Sequence, residues 1–378
     1  MMPSRLRIII RRTLVVLNII TAVLYLISCL APYIKPGDSW MIAVLGLIFP
    51  VLLALLIGFV FLWLILKLRR VWFSILVLLA GYKSISVFWA FNAPSAFQYQ
   101  KKPNQIRIAS WNVARFLEWK RNNNEKSQTR LKMLDLIQKQ SPDILCLEEF
   151  FHSPDSIFYN NISEIKAMGY PYYYFSYDPD GDYQYIGSVI FSKYPMLDTG
   201  LVRYFRPSTT EALVHADIKV NDDTIRVFTT HLQSVQFRQK EYEAIDEIKN
   251  AKDSLIDNSK TVLAKLRKAI ILRSSQADIA RQIMDDSPYP AIFCGDLNDT
   301  PNSYIYFTIR GDMQDAFLQK GFGIGRTFSS LSPTLRIDYI LTDDQFSIKQ
   351  FTRVVKYLSD HFMIMADVEL KPSSPKGE

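Results

Sequence analysis

Two long uncharged runs near the N-terminus constrain this chain more than any other feature. Residues 13–34 and residues 39–66 contain no charged side chain. Each run exceeds the roughly 20 apolar residues that a helix needs to cross the hydrocarbon core of a bilayer. A third run, 71–91, is long enough to span but contains Lys83, which is costly in a membrane unless its amine reaches the interface. The sequence therefore predicts two to three transmembrane helices within residues 1–91.

Basic residues around these runs predict the orientation. Seven of them precede the first run or separate the second from the third: Arg5, Arg7, Arg11, Arg12, Lys67, Arg69 and Arg70. Because short cytoplasmic loops are enriched in Lys and Arg, we predict an integral protein of the cytoplasmic membrane with its N-terminus in the cytoplasm. Three spans would place residues 101–378 outside the cytoplasm, which is the arrangement we expect. A re-entrant or interfacial third segment would return them to the cytoplasm.

The net charge of +7 at first suggests a nucleic-acid-binding protein. However, residues 1–100 hold nine basic side chains and one acidic one, whereas residues 101–378 hold 35 basic and 36 acidic side chains. The larger part of the chain is thus nearly neutral, which disfavours strong non-specific binding of polyanions. A local basic stretch from Lys120 to Arg130 is interpreted as solvated helix surface.

The remainder reads as an α/β domain at residues 105–370, after a Pro-containing linker at 92–104 and before a short tail at 371–378. Helical periodicity occurs at 128–140 and 262–284. The charged segment 232–289 is either a solvated insertion or a cap over a site. Alternating or continuous apolar runs predict eight strands, at 106–111, 143–149, 186–192, 212–220, 224–231, 290–295, 336–341 and 361–370.

Side chains suited to chemistry fall where these strands end: Asn112, Glu148, Glu149, His231, Asp296, Asn298, Asp338, Asp360 and His361. Taken singly, an acid at a strand end is most often a cap or turn residue. Taken together, carboxylate, amide and imidazole groups are the ligands and proton carriers that Mg²⁺-assisted phosphate chemistry requires. The three cysteines form neither a disulfide framework nor a zinc motif.

Seven motifs follow one another in the order SWN, LEE, GSVIFSKYP, THL, GDLNDTP, RIDYIL and SDHF. This ordered set resembles the endonuclease/exonuclease/phosphatase superfamily, which includes deoxyribonucleases, abasic-site endonucleases, inositol-phosphate phosphatases and sphingomyelinases. The resemblance covers residues 105–370. It implies a four-layer α/β sandwich of two mixed β-sheets with outer helices, here preceded by the transmembrane segment.

The resemblance also implies a metal site. Glu149 matches the essential metal-binding glutamate of the family, and Glu148 departs from the glutamine that usually precedes it. Asn112 and Asp360 match further positions beside the metal. The implied cofactor is Mg²⁺, with Mn²⁺ as a substitute.

The catalytic roles follow from the same motifs. Asp296 matches the residue that orients or deprotonates the attacking water, and Asn298 the residue that holds a phosphate oxygen. His361 matches the histidine that contacts the scissile phosphate, and Asp338 the carboxylate that fixes this histidine and should keep it cationic. His231 matches a second phosphate-side histidine. The implied activity is metal-dependent hydrolysis of a phosphate ester by water attack, in a chain taken by default as a monomer.

The substrate is left open, because family members cleave nucleic acids and lipid headgroups with the same core. The membrane tether and the aromatic-rich stretch 170–185 favour a lipid or periplasmic substrate. A nuclease and a lipid-headgroup hydrolase stay almost equal alternatives. A catalytically inactive, membrane-tethered binding protein is the alternative of another class. The presence of Glu149, Asp296 and His361 argues against it.

Overall fold

The computed structural model describes residues 4–117, 128–204, 211–236 and 255–372. The chain forms two compact units, and both are discontinuous in sequence. The first unit comprises Met1–Phe88, Val235–Ser274 and Pro301–Phe307. The second comprises Trp89–Ser234, Ser275–Thr300 and Thr308–Glu378.

The first unit is helical. Its N-terminal part contains α1 Ser4–Ser28, α2 Trp40–Leu47, α3 Phe49–Ile65, α4 Val71–Ala80 and α5 Tyr82–Phe88. One unbroken helical stretch, Arg5–Tyr33, is long and apolar enough to cross a membrane. The pair α2 and α3 is bent by 59° and the pair α4 and α5 by 68°, so each pair counts as a span only if it is one broken helix. The second and third predicted spans are therefore bent pairs rather than straight helices.

One bend lies at a proline and the other at a glycine. Pro50 lies in the first turn of α3, where its missing N–H ends the hydrogen bonding of α2. Gly81 separates α4 from α5, and a Cβ atom there would lie 2.1 Å from the hydroxyl oxygen of Tyr25. Only glycine allows this close approach. Lys83 is exposed on α5, with its amine 5.9 Å from the ring centroid of Tyr33.

The second unit is built on strands, which the chain forms in the order β1 Ala90–Phe91, β2 Ile106–Asn112, β3 Ile144–His152, β4 Tyr172–Phe175, β5 Asp178–Gly181, β6 Gln184–Ser192, β7 Met196–Arg203, β8 Ala212–Val220, β9 Asp223–His231, β10 Ala291–Asp296, β11 Gln314–Asp315, β12 Phe322–Gly323, β13 Asp338–Thr342, β14 Phe346–Val354 and β15 Met363–Leu370. The described helices outside the N-terminal part are α6 Thr129–Gln140, α7 Asn161–Ala167, α8 Leu255–Asp285, α9 Tyr304–Arg310 and α10 Ala316–Lys320. Of these, α8 and α9 cross the boundary between the units.

Two large mixed sheets dominate the described part of this unit. The seven-stranded sheet has the order β14-β15-β2-β3-β6-β4, with β5 paired to β6, and the six-stranded sheet has the order β11-β13-β10-β9-β8-β7. Their facing sides share one apolar core, which includes Ile108 and Cys146 from one sheet and Val227 and Cys294 from the other. Burial of each aliphatic side chain contributes about 1.5–3 kcal/mol, so this core holds the sheets together.

Helices α6 and α7 cover the outer side of the seven-stranded sheet. Met133 and Ile137 of α6 and Ile162 of α7 pack in one cluster with Leu145 and Leu147 of β3. The expected architecture of mixed sheets with outer helices is confirmed.

All eight predicted strands are present, and the two predicted helices correspond to α6 and to part of α8. The pattern missed β4, β5, β7 and β14, as well as the two-residue strands β1, β11 and β12. Strand β14 lies at the sheet edge, where most of its residues are only partly buried, so the apolar signal is weak.

One local interpretation needs correction. Arg130 is buried, and its guanidinium lies 3.9 Å from the ring centroid of Tyr159, so it is not solvated helix surface. The other basic residues of that stretch lie outside the described residues. Within the predicted linker, Asn92 donates to the carbonyl oxygens of Leu318 and Gly321.

Candidate active site

Strand register brings the predicted site residues to one edge of the two sheets. In the six-stranded sheet, Asp296 is paired with His231 on one side and with Asp338 on the other. In the seven-stranded sheet, Asn112 is paired with Glu148. Since neighbouring strands lie about 4.8 Å apart, residues far apart in sequence become adjacent here.

A glycine before Asp296 allows this packing. Gly295 has a φ of +152°, and a Cβ atom would lie 2.3 Å from the carbonyl oxygen of Thr230. Any other residue would push β10 away from β9 and misplace the carboxylate of Asp296. The glycine of the GDLND motif is thus a packing requirement of the site.

A β-bulge separates the two adjacent acids of the LEE motif. The pairing of β3 with β6 shifts between Leu147 and Phe150, and Glu149 has a φ of +48°. A bulge of this kind redirects a side chain at the end of a pairing. Glu148 therefore points into the interior, whereas the side chain of Glu149 is 33% exposed at the site.

Glu148 is fully buried between the sheets. Its Oε1 accepts hydrogen bonds from Ser110 Oγ at 3.1 Å and Thr229 Oγ1 at 2.9 Å. Burial, together with the nearby charge of Asp338, raises the pKa of Glu148 well above its ordinary value. A neutral carboxyl group offers one donor and an acceptor, as an amide does. This residue can therefore occupy the position at which the resemblance implies glutamine.

Asn112 connects the two sheets. Its Nδ2 donates to Glu149 Oε1 at 3.2 Å and to Asp296 Oδ2 at 3.1 Å. Its Oδ1 accepts from the backbone N–H of Ala114 at 3.0 Å. The amide thus holds the two carboxylates in position across the sheet boundary.

Asp360 lies at the same edge but is exposed. The hydroxyl of Ser359 lies 3.1 Å from Asp360 Oδ1 and 2.8 Å from the backbone oxygen of Asn112. Ser359 therefore places Asp360 beside the end of β2. Of the three predicted metal ligands, Glu149 and Asn112 are in direct contact, and Asp360 is linked to Asn112 through Ser359.

His361 is held on three sides. Its Nδ1 lies 3.0 Å from both carboxylate oxygens of Asp338, and the indole N–H of Trp111 donates to its backbone oxygen. The ring of Phe328 packs against the imidazole with centroids 4.9 Å apart. Burial by itself lowers the pKa of His361, but the charges of Asp338 and Asp296 outweigh it and raise the pKa well above its ordinary value. The imidazole is thus a cation at neutral pH.

Asp296 lies at the centre of the cluster. Its Oδ2 is 3.6 Å from His361 Nε2 and 3.7 Å from His231 Nε2, and its Oδ1 accepts from the backbone N–H of Asn298. Burial raises the pKa of Asp296 to about 6, with the charges of both histidines opposing the rise. Its carboxyl group is therefore ionised at neutral pH and becomes protonated in mild acid.

His231 and Asn298 form the remaining side of the site. Asn298 Nδ2 is 2.9 Å from His231 Nε2 and 2.9 Å from the backbone oxygen of Leu232. Asn298 has a φ of +52°, a backbone conformation that asparagine tolerates better than most residues. His231 Nε2 also lies 3.7 Å from Glu149 Oε1, so His231 faces both acids.

Two sets of groups at this edge could hold a cation. Among the described residues, Asp296, Asp338 and His361 each place one ligand atom within 4.8 Å of the others. However, Asp338 already binds the cationic His361, which cannot ligate a metal while protonated. Glu149 is the more exposed carboxylate, and its oxygens suit a hard divalent cation.

The structure adds supporting residues that the sequence did not single out. Ser110 and Thr229 hold Glu148, while Thr327 Oγ1 accepts from the backbone N–H of Asp338 at 3.1 Å. Ser359 was within a recognised motif, SDHF, and could have been identified from it. Thr327 is distant from every motif in sequence, and no local pattern indicates it.

Two family profiles match separate parts of the chain. The profile of the Endonuclease/Exonuclease/phosphatase family matches residues 109–361, and that of a domain of unknown function (DUF8431) matches residues 11–88. No curated protein matches the chain.

Solved structures show the same fold. An endonuclease/exonuclease/phosphatase from Beutenbergia cavernae is 19% identical with a TM-score of 0.50, over 71% of this chain and 72% of that one. The catalytic domain of human Nocturnin, solved with a bound sulfate anion, is 17% identical with a TM-score of 0.50, over 71% of this chain and 94% of that one.

Proposed function

The chain belongs to the endonuclease/exonuclease/phosphatase family, and from this premise we propose that it is a membrane-anchored, divalent-metal-dependent hydrolase of phosphate esters. The observation that carries the proposal is one continuous network across both sheets. It runs from Glu149 through Asn112 and Asp296 to His361 and Asp338. Each residue of this network belongs to one of the seven motifs that carry the resemblance.

Asp296 is proposed to orient the attacking water. Its pKa of about 6 leaves the carboxylate ionised at neutral pH, so it can accept a hydrogen bond from water. Asn112 and the backbone N–H of Asn298 fix both of its oxygens. This fixation restricts the direction from which water is presented to the phosphorus atom.

His361 is proposed to bind the phosphate. Its Nδ1 proton is directed at Asp338, which leaves the Nε2 proton to be donated to a phosphate oxygen. Because the imidazole is cationic and buried, it stabilises the negative charge that builds up as the phosphate ester is attacked. His231, held by Asn298, supplies a second polar contact on the same side.

The donor set fits a divalent cation of the Mg²⁺ or Mn²⁺ type. Glu149 would be the principal ligand, with Asn112 and Asp360 beside it, and these groups offer carboxylate and amide oxygens rather than thiolates. Such a cation, when bound, supplies Lewis-acid stabilisation of charge on the phosphate oxygens. Asn112 would have to rotate its amide to present Oδ1, which now accepts from Ala114.

Membrane anchoring is proposed from the N-terminal helices. The stretch Arg5–Tyr33 suffices for one span, and the two bent pairs would supply two more. With three spans the hydrolase domain would lie outside the cytoplasm, as the basic loops predict. We propose a phosphate-ester substrate within reach of the bilayer.

The test is an assay of the full chain in detergent with Mg²⁺ or Mn²⁺. Its panel contains a bis-aryl phosphodiester, plasmid DNA, RNA, inositol phosphates and sphingomyelin. We expect hydrolysis of at least one substrate, complete inhibition by EDTA, and recovery on adding the metal back. The matched control is Asp296→Asn, which changes one atom of the side chain. Hydrolysis that survives both EDTA and Asp296→Asn would come from a contaminant and would overturn the proposal.

A further inference from the structure

An exposed aromatic surface lies in the second unit around the short strands β1 and β12. Phe91 is 72% exposed, Phe322 is 56% exposed and Tyr357 is 76% exposed. Trp89 packs edge-on against Phe322 with ring centroids 6.2 Å apart. Trp89, Phe322 and Tyr357 line a cleft of about 370 Å³. Exposed aromatic side chains gathered in this way mark an interaction site rather than ordinary surface.

The same cleft is basic. Arg326 and Arg353 line it, and the described residues of its lining include no carboxylate. The described hydrogen bonds of both guanidinium groups go to backbone oxygens, from Arg353 to Arg326 and from Arg326 to Phe328. Burial and, to a smaller extent, the neighbouring charge of Arg326 lower the pKa of Arg353. This pair therefore lacks a described acidic partner and is complementary to an anion.

The position of the cleft in the chain indicates which anion. Helix α5, the last of the apolar helices, ends at Phe88, and Trp89 is the next residue. Strand β1 then pairs with β12, which carries Phe322. If α4 and α5 form a membrane segment, the first residue after that segment already belongs to this surface. Tryptophan and tyrosine concentrate at the level of lipid headgroups, and arginine binds phosphate through two parallel hydrogen bonds.

We propose that the surface formed by Trp89, Phe91, Phe322, Tyr357, Arg326 and Arg353 binds the anionic phospholipid headgroups of the bilayer that holds the N-terminal helices. This inference rests on the membrane anchoring proposed above. We name these six residues the headgroup surface.

The headgroup surface shares a backbone segment with the active site. The N–H of Ser329 donates to the backbone oxygen of Asp360 at 2.6 Å, and the N–H of Phe362 donates to that of Thr327 at 2.8 Å. Phe362 lines the cleft and directly follows His361. Headgroups bound here would thus lie one short loop away from the residues proposed to bind the scissile phosphate.

The test uses the full chain in vesicles of phosphatidylcholine alone or of phosphatidylcholine and phosphatidylglycerol at a ratio of 7:3. A Cys29→Ala background removes the one half-buried thiol, because Cys146 and Cys294 are buried. An environment-sensitive dye is attached through Tyr357→Cys or, as the control, through Asn221→Cys. Asn221 lies in the turn at the far end of β9 from His231.

We expect the dye at residue 357 to be quenched by brominated lipid, at least twofold more strongly in vesicles containing phosphatidylglycerol. The dye at residue 221 should not be quenched in either. Arg326→Gln combined with Arg353→Gln should abolish the dependence on phosphatidylglycerol. Removing two charges elsewhere, with Lys139→Gln and Lys166→Gln, should preserve it. Neither pair belongs to the proposed catalytic machinery, so hydrolysis of a soluble phosphodiester should be unchanged.

Flotation of the full chain with the vesicles measures the helical anchor separately. A chain that floats, but whose dye at residue 357 is no more quenched than that at residue 221, would overturn the headgroup surface and leave the proposed hydrolase intact. Because that comparison needs no arginine variant, it holds even if Arg353→Gln fails to fold. Equal quenching in both lipid compositions would also overturn the inference, since it would exclude recognition of anionic headgroups.

Discussion

The two sheets contribute halves of the site that differ in their exposure to water. The six-stranded half is buried, and the side chain of Asp296 is 1% exposed. His361 precedes β15 of the other sheet but joins this buried half through Asp338, and its side chain is 6% exposed. The seven-stranded half is more open at Glu149, whose side chain is 33% exposed. Burial changes the affinity of a carboxyl group for protons, whereas exposure keeps a carboxylate ionised and accessible to a cation. The comparison therefore supports the proposal that the buried half carries the proton and phosphate chemistry and that the open half binds the metal.

The largest effect is expected from the buried groups. Asp296→Asn and His361→Ala should each lower kcat by about 10³-fold or more, because one removes the group that orients water and the other the buried cation. Steady-state kinetics on the best substrate of the panel would measure this. Circular dichroism and thermal melting would confirm that both variants fold. A loss below tenfold for either variant would break the assignment of catalysis to this half.

Glu149 and Glu148 test the contrast between open and buried acids with the same substitution. Glu149→Gln should remove most activity and raise the Mg²⁺ concentration needed for half-maximal rate, because a ligand charge is lost. Glu148→Gln should change the rate by less than about fivefold, since burial raises the pKa of this carboxyl group and favours its neutral form, and the amide has nearly the same shape. Titration of Mn²⁺ binding by electron paramagnetic resonance separates metal affinity from turnover. Equal losses in both variants would contradict the role of the bulge.

The pH profile tests the proton chemistry of the buried half. Asp296 must be ionised, so activity should fall as the pH drops through about 6, or lower where a bound cation favours the carboxylate. His361 must be protonated, and its pKa is raised by Asp338 and Asp296 against the effect of burial. Activity should therefore fall at high pH only well above the ordinary histidine value of about 6.5.

Asp338→Asn sharpens this prediction. Removing that charge lowers the pKa of both His361 and Asp296, so both limbs of the kcat profile should move to lower pH. Glu369→Gln, a surface substitution on β15, serves as the control for loss of one negative charge. An unchanged alkaline limb in Asp338→Asn would mean that His361 is not the group that titrates there.

The smallest effect is expected from His215, a histidine outside the site. It lies on β8 with its ring 5.7 Å from that of Phe228, and it matches no family motif. His215→Ala should change kcat/KM by less than about threefold and stability by about 1 kcal/mol, as partly buried residues usually do. Kinetics and thermal melting would measure both. A loss comparable with that of His361→Ala would show that the catalytic roles are wrongly assigned.

Local sequence patterns were sufficient for much of this protein. Apolar runs without charge identify the N-terminal helices, because burying charge in a membrane is costly whatever surrounds the chain. Alternation of apolar residues identified eight strands, since the pleat sends successive side chains to opposite faces. The order of the motifs identified Asn112, Glu149, Asp296 and His361, and the structure brings these four together.

The tertiary structure alone decided the orientation and the surroundings of these residues. The bulge that turns Glu148 inward and Glu149 outward depends on the pairing of β3 with β6, between segments that are distant in sequence. Burial and the charge of a carboxylate on another strand raise the pKa of Glu148. Carboxylates on other strands also raise the pKa of His361, against the effect of burial. The bend at Gly81 depends on close approach to Tyr25 in another helix. Sequence periodicity reports which face of an element is buried, whereas register, burial depth and electrostatic coupling arise only when distant segments meet.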